Sequence, residues 1–138
     1  MKKIKIETYA EISQRVGDAT VRSIIDDRNT VDFDADMVFS VSGELEEPSY
    51  IDTYDLFDLL DPLNQAISFS ELKHLLFKNK GNETLKISSP YGDCVVSPEG
   101  VVSIYGQVYA NTDGITIERV SSLESSPELS YTLTLLGS

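Results

Sequence analysis

A chain of 138 residues with 41% hydrophobic and 25% charged residues can bury one core and is too apolar for a disordered tail. Its net charge of −12 argues against nucleic acid as a direct ligand, since both are polyanionic, and favours basic partners. The single cysteine, Cys94, excludes an intrachain disulfide, no apolar run is long enough for a membrane helix, and the basic start Met1-Lys2-Lys3 leads into alternation and not into an apolar signal segment. The sequence therefore reads as one cytoplasmic domain over residues 1–138.

Residues 2–16 alternate. Ile4, Ile6, Thr8, Ala10, Ile12 and Val16 share one parity, and Lys3, Lys5, Glu7, Tyr9, Glu11, Ser13 and Arg15 share the other, which predicts a long strand with one wet face. Gly17-Asp18 suits a two-residue hairpin turn, with Val16 opposite Ala19. The return strand carries Ala19, Val21 and Ile25 and is expected to end near Asp26. Asp27-Arg28-Asn29 then suits a three-residue loop. A third strand follows with Val31, Phe33, Ala35, Met37, Phe39 and Val41 inward, and Asp32, Asp34 and Asp36 outward. Both loop lengths keep the apolar residues on one side, and Arg22 falls opposite Asp34 in this register.

A competing pattern covers about fifteen residues of the same segment. Tyr9-Ala10-Glu11-Ile12-Ser13-Gln14-Arg15-Val16-Gly17, followed by Ala19-Thr20-Val21-Arg22, resembles the helix-turn-helix of bacterial repressors. That resemblance implies a glycine-terminated first helix and a recognition helix opening at Thr20-Val21-Arg22. The spacer after Gly17 is about two residues shorter than the family's, and the chain that follows is acidic, unlike a DNA-binding surface. The alternation is the reading retained.

After a polar connector at residues 43–49, a short helix is expected over residues 50–61: Ile51, Tyr54, Phe57 and Leu60 recur at helical spacing, widened by Leu56, Leu59 and Leu63, and Pro62 ends the segment. A second helix is expected to start at Ser68-Phe69-Ser70-Glu71, which has capping-box spacing. Phe69, Leu72, Leu75 and Leu76 would form its buried stripe, Lys78 and Lys80 its basic end and Gly81 its stop. Strands are expected again at residues 84–88, 94–97, 101–110, 115–120 and 129–136. Turn signals separate them at Pro90-Tyr91-Gly92, Pro98-Glu99-Gly100 and Asp113-Gly114. The expected fold class is α+β: an N-terminal three-stranded antiparallel meander, a short two-helix segment, then a C-terminal antiparallel meander.

The charge is concentrated. Residues 26–61 hold twelve acids (Asp26, Asp27, Asp32, Asp34, Asp36, Glu44, Glu46, Glu47, Asp52, Asp55, Asp58 and Asp61) against one base, Arg28. Asp32, Asp34 and Asp36 match the start of a calcium loop. However, Met37 stands where that loop needs its glycine, and Gly43 where it needs its bidentate glutamate. On a strand these carboxylates lie about 6.8 Å apart and repel by only ~0.6 kcal/mol per adjacent pair in water, so no metal is required. His74 and Cys94 have no motif linking them into a nucleophilic dyad. No P-loop, G-x-G-x-x-G, H-E-x-x-H or C-x-x-C is present. Tyr105, Gln107 and Tyr109 share the outward parity of their strand, a pattern suited either to an interface or to packing under a helix.

These features point to a small acidic protein-binding inhibitor with no catalytic residues, metal or cofactor. It resembles in type the toxin-neutralising immunity proteins and phage-encoded inhibitors of nucleic-acid enzymes, which are short, acidic, single-domain chains. The expected partner is a basic protein, met by Asp32, Asp34, Asp36, Asp52, Asp55 and Asp58 with Tyr54 as an aromatic anchor. The alternative is an assembly subunit that self-associates through the sheet edge of residues 101–110 or 129–136.

Overall fold

The computed structural model describes the backbone of residues 2–16, 19–33, 37–111, 113–120 and 126–138, with side chains described from residue 37 onward. The chain divides into two units, Met1–Asp34 and Ala35–Ser138.

The first unit is a hairpin of two equal strands, β1 (Lys2–Val16) and β2 (Ala19–Phe33). They pair antiparallel along their whole length, from Val16 opposite Ala19 to Lys2 opposite Phe33. The Val16–Ala19 pairing agrees with the sequence, and strands on both sides of it exclude the helix-turn-helix pattern. The three-stranded meander does not form. Asp27, Arg28 and Asn29 lie inside β2, opposite Thr8, Glu7 and Ile6. A three-residue loop that preserves side-chain parity has the same apolar pattern as a strand that runs straight through, and here the partner strand is long enough for β2 to continue. Arg22 pairs with Ser13 of β1. Asp34, its expected partner, lies outside the described residues.

Among its described residues the second unit contains ten strands and no helix. The first four-stranded sheet has the order β10–β7–β12–β3, built from β3 (Met37–Glu44), β7 (Glu71–Asn79), β10 (Val101–Tyr109) and β12 (Ser130–Gly137). The second has the order β4–β11–β8–β9, built from β4 (Ile51–Tyr54), β8 (Leu85–Ser89), β9 (Gly92–Val96) and β11 (Ile115–Arg119). A short hairpin, β5 (Leu59–Leu60) with β6 (Ala66–Ile67), completes the unit. Every pairing is antiparallel. The expected C-terminal meander is thus replaced by strands that alternate between two sheets, and among β7 to β12 only β8 and β9 are paired in immediate succession.

Alternation fills the core. Across the first sheet the registers line up Val102, Phe77, Leu133 and Val41 in one row, and Ile104, Leu75, Leu135 and Phe39 in the next. Leu85, Ile87, Val96, Ile115 and Ile117 face them from the second sheet and join the same buried cluster. Burying a leucine such as Leu133 contributes about 1.5–3 kcal/mol.

The expected helix over residues 68–81 is the interior strand β7, and the cause of the misreading is local. Between Leu136 and Gly137 the register of β12 against β7 shifts by one residue, with Lys73 the extra residue in β7. Such a bulge turns a two-residue spacing into three. Leu72 and Leu75 are therefore both buried, which mimics a helical stripe, while Leu76 and Lys78 are exposed and Phe77 is buried. The capping-box residues serve another end: the backbone N–H groups of Ser70 and Glu71 both donate to the Ser138 carbonyl.

Candidate partner-binding surface

Residues 44–67 carry the part of the acidic block that can be followed side chain by side chain. No lysine or arginine stands between Arg28 and Lys73. Glu44, Glu46, Glu47, Asp55 and Asp58 are exposed.

The remaining acids of this stretch work inside the fold. Asp52 and Tyr54 sit on the inward parity of β4, opposite Ile117 and Ile115 of β11. The buried Tyr131 hydroxyl, reaching across from β12, donates to Asp52 Oδ2 at 2.5 Å. It shares a second hydrogen bond of 2.5 Å with the Tyr54 hydroxyl. Since the Tyr131 proton is committed to Asp52, Tyr54 donates to Tyr131. Gly43 makes room for this chain, because a Cβ there would fall 2.4 Å from Tyr131 Oη. Burial raises the pKa of both phenols above 10, and the bonds to Asp52 and Tyr54 raise that of Tyr131 further. Asp52 and Tyr54 thus tie the two sheets together, while both side chains stay partly exposed. Asp32 lies on β2 opposite Lys3, its side chain not among those described, and Asp34 and Asp36 lie outside the described residues.

The expected first helix is replaced by β4, an Asx turn and the β5–β6 hairpin. Asp55 Oδ1 accepts from the Phe57 N–H at 2.9 Å, and the Asp58 N–H donates to the Asp55 carbonyl at 3.1 Å. Asp61-Pro62-Leu63-Asn64 then forms the hairpin turn. Pro62 presets the first central position, Asn64 takes a left-handed φ of 59°, and its N–H donates to the Asp61 carbonyl at 2.9 Å. Asp61 Oδ1 accepts from the N–H groups of Leu63 and Gln65 at 2.9 and 2.8 Å. Local side-chain to backbone bonds of this kind compete with helix formation, and here they prevail.

This segment is anchored from below. Leu56 and Leu59 are buried, and the Phe69 N–H donates to the Leu56 carbonyl at 2.8 Å. With those two inward, Phe57, Leu60 and Leu63 stand outward at 43%, 62% and 79% exposure. In the expected helix all three lie on its apolar side. The Asp-Pro-x-Asn turn was the signal that could have revealed them, since it fixes a hairpin tip where Pro62 alone suggested a helix end.

The other candidates for chemistry are apart. His74, on β7, shares a hydrogen bond of 2.9 Å with Ser103 Oγ, and burial lowers its pKa. Cys94, on β9 in the other sheet, packs partly buried against the core. Tyr105 and Tyr109 are exposed on β10, as their parity implies. Among the described residues, no group of three or more His, Cys, Asp or Glu side chains could hold a metal ion. No helix among the described residues is long and apolar enough to cross a membrane. No protein-family model, curated protein or solved structure matches the chain.

Proposed function

We propose that the protein is a small cytoplasmic inhibitor that docks an acidic surface onto a basic protein, of the kind that neutralises a toxin or blocks a nucleic-acid enzyme. The observation that carries this reading is the set of exposed carboxylates at Glu44, Glu46, Glu47, Asp55 and Asp58, in a stretch with no Lys or Arg to neutralise it. A carboxylate array of this kind steers a basic partner by long-range attraction and competes with phosphates for the same cleft. Asp32, Asp34 and Asp36 extend the array in sequence.

The test is a pull-down from the source cell lysate at low salt and at ~0.5 M salt, where screening is much stronger, followed by an activity assay of the captured protein. Capture of a basic protein that is inhibited by this chain and released by salt supports the reading. So does loss of capture when Asp55, Asp58, Glu46 and Glu47 are changed to their amides. Inhibition indifferent to both salt and these changes would remove the acidic surface from the mechanism.

Of the two strands expected to offer an edge for self-association, β10 is an outer strand of its sheet. The strand at residues 129–136 is excluded, because β12 is paired on both sides, with β7 and with β3. At β10 the register shift between Tyr105 and Val108 interrupts the edge, a device that hinders strand addition.

A further inference from the structure

The β5–β6 hairpin adds an apolar component that charge alone does not explain. Phe57, Leu60 and Leu63 are large, solvent-exposed and confined to the seven positions 57–63, which run from the Asx turn through β5 into the hairpin turn. A folded chain has a ready alternative to exposing them, which is to pack them inward. The structure instead buries Leu56 and Leu59 and turns the other three out. The exposed carboxylates of Asp55 and Asp58 alternate with them. The backbone beneath is fixed by Asp55 Oδ1, by the two bonds to Asp61 Oδ1 and by the Asp61 N–H donating to the Gln65 carbonyl at 3.0 Å. Held this way, the tip loses little conformational freedom on binding, so apolar contact converts efficiently into affinity.

We propose that the β5–β6 hairpin, with the Asx turn that leads into it, is the anchor of the interface: Phe57, Leu60 and Leu63 enter an apolar pocket of the partner protein whose rim carries Lys and Arg, and Asp55 and Asp58 meet that rim. The proposal rests on the protein-binding reading above and specifies its partner's surface. Interfaces concentrate their energy in a few central apolar side chains, with charges at the periphery setting register and approach rate. The hairpin has that composition in miniature. A purely electrostatic competitor of nucleic acid would need the carboxylates and not the leucines.

The probes are two synthetic peptides of equal positive charge, one an amphipathic Leu/Lys helix and the other oligolysine, titrated at low salt into the full-length, isotope-labelled chain while backbone amide shifts are followed. The Leu/Lys peptide is expected to bind at least about tenfold more tightly than oligolysine, with the largest shifts at residues 57–65. Leu63→Ser, and separately Leu60→Ser with Leu63→Ser, are expected to remove that advantage, leave oligolysine binding intact and preserve the unfolding midpoint. Equal affinity for the two peptides, unchanged by the leucine variants, would overturn the anchor while leaving the acidic docking surface standing. Preferential binding with shifts located elsewhere would overturn the hairpin as its site. Failure of both peptides to bind would contradict the anchor and the acidic-surface reading together.

Discussion

Tyr131→Phe isolates the link between the two sheets of the second unit. The substitution keeps the ring, which stacks on Phe77 with centroids 5.7 Å apart, and removes only the hydroxyl. That hydroxyl donates to Asp52 Oδ2 and accepts from Tyr54, each at 2.5 Å. A hydrogen bond to a charged group is worth about 1.5–3 kcal/mol, and its loss leaves a half-buried carboxylate without that donor. The neutral Tyr54–Tyr131 bond adds about 1 kcal/mol, partly recovered when Tyr54 turns to water. The expected loss is about 2–3 kcal/mol, measured as a lower midpoint in equilibrium urea unfolding with an unchanged slope. Tyr54→Phe removes only the weaker bond and is expected to cost about 1 kcal/mol. The double variant is expected to be non-additive, because the two hydroxyls share a network. A Tyr131→Phe variant within about 0.5 kcal/mol of the parent, or a Tyr54→Phe variant that costs as much as Tyr131→Phe, would refute this account of the cross-sheet link.

Two further outcomes follow from the same geometry. The phenols of Tyr54, Tyr91 and Tyr131 all have pKa values raised above 10, chiefly by burial, and Tyr91, whose hydroxyl donates to the Gly106 carbonyl, is pushed up to about 12. Above pH 10 the unfolded chain releases protons that the folded chain keeps. Their contribution to stability is therefore complete below pH 10 and declines from there, with that of Tyr91 lost by about pH 12. Unfolding midpoints against pH check this, and Tyr91→Phe should make the decline shallower. Gly114 adopts a left-handed φ of 61°, and a Cβ there would lie 1.9 Å from the Tyr54 carbonyl oxygen. Gly114→Ala is accordingly expected to cost more than about 1 kcal/mol by urea unfolding.

What the sequence disclosed depended on whether a pattern had one structural meaning. The strands β8 to β12 were expected within about two residues of their observed bounds, because Pro98-Glu99-Gly100 and Asp113-Gly114 punctuate clean alternation. The long β1 strand and the Val16–Ala19 pairing were legible for the same reason. The end of β2 was not, since a parity-preserving loop and an unbroken strand share one pattern. The two helices failed for two different reasons. In β7 a bulge moved Leu72 and Leu75 onto the same face, and pairing with β10 and β12 fixed the strand through partners distant in sequence. In residues 55–65 the carboxylates of Asp55 and Asp61 bound backbone N–H groups and drew the chain into turns. The candidate site was legible in its charge but not in its shape. Asp55 and Asp58 are exposed as expected, whereas Asp52 and Tyr54 turn inward, and the exposed Phe57, Leu60 and Leu63 emerge only once the helix is replaced by a hairpin.

Amide hydrogen exchange of the full-length chain, free and bound to whichever basic protein the pull-down yields, tests the proposed docking surface most directly. Slowed exchange on binding within residues 44–67, strongest at the β5–β6 hairpin and diminished by raised salt, is the expected result. Protection confined to β10, or unchanged exchange throughout residues 44–67 in a saturated complex, would contradict it.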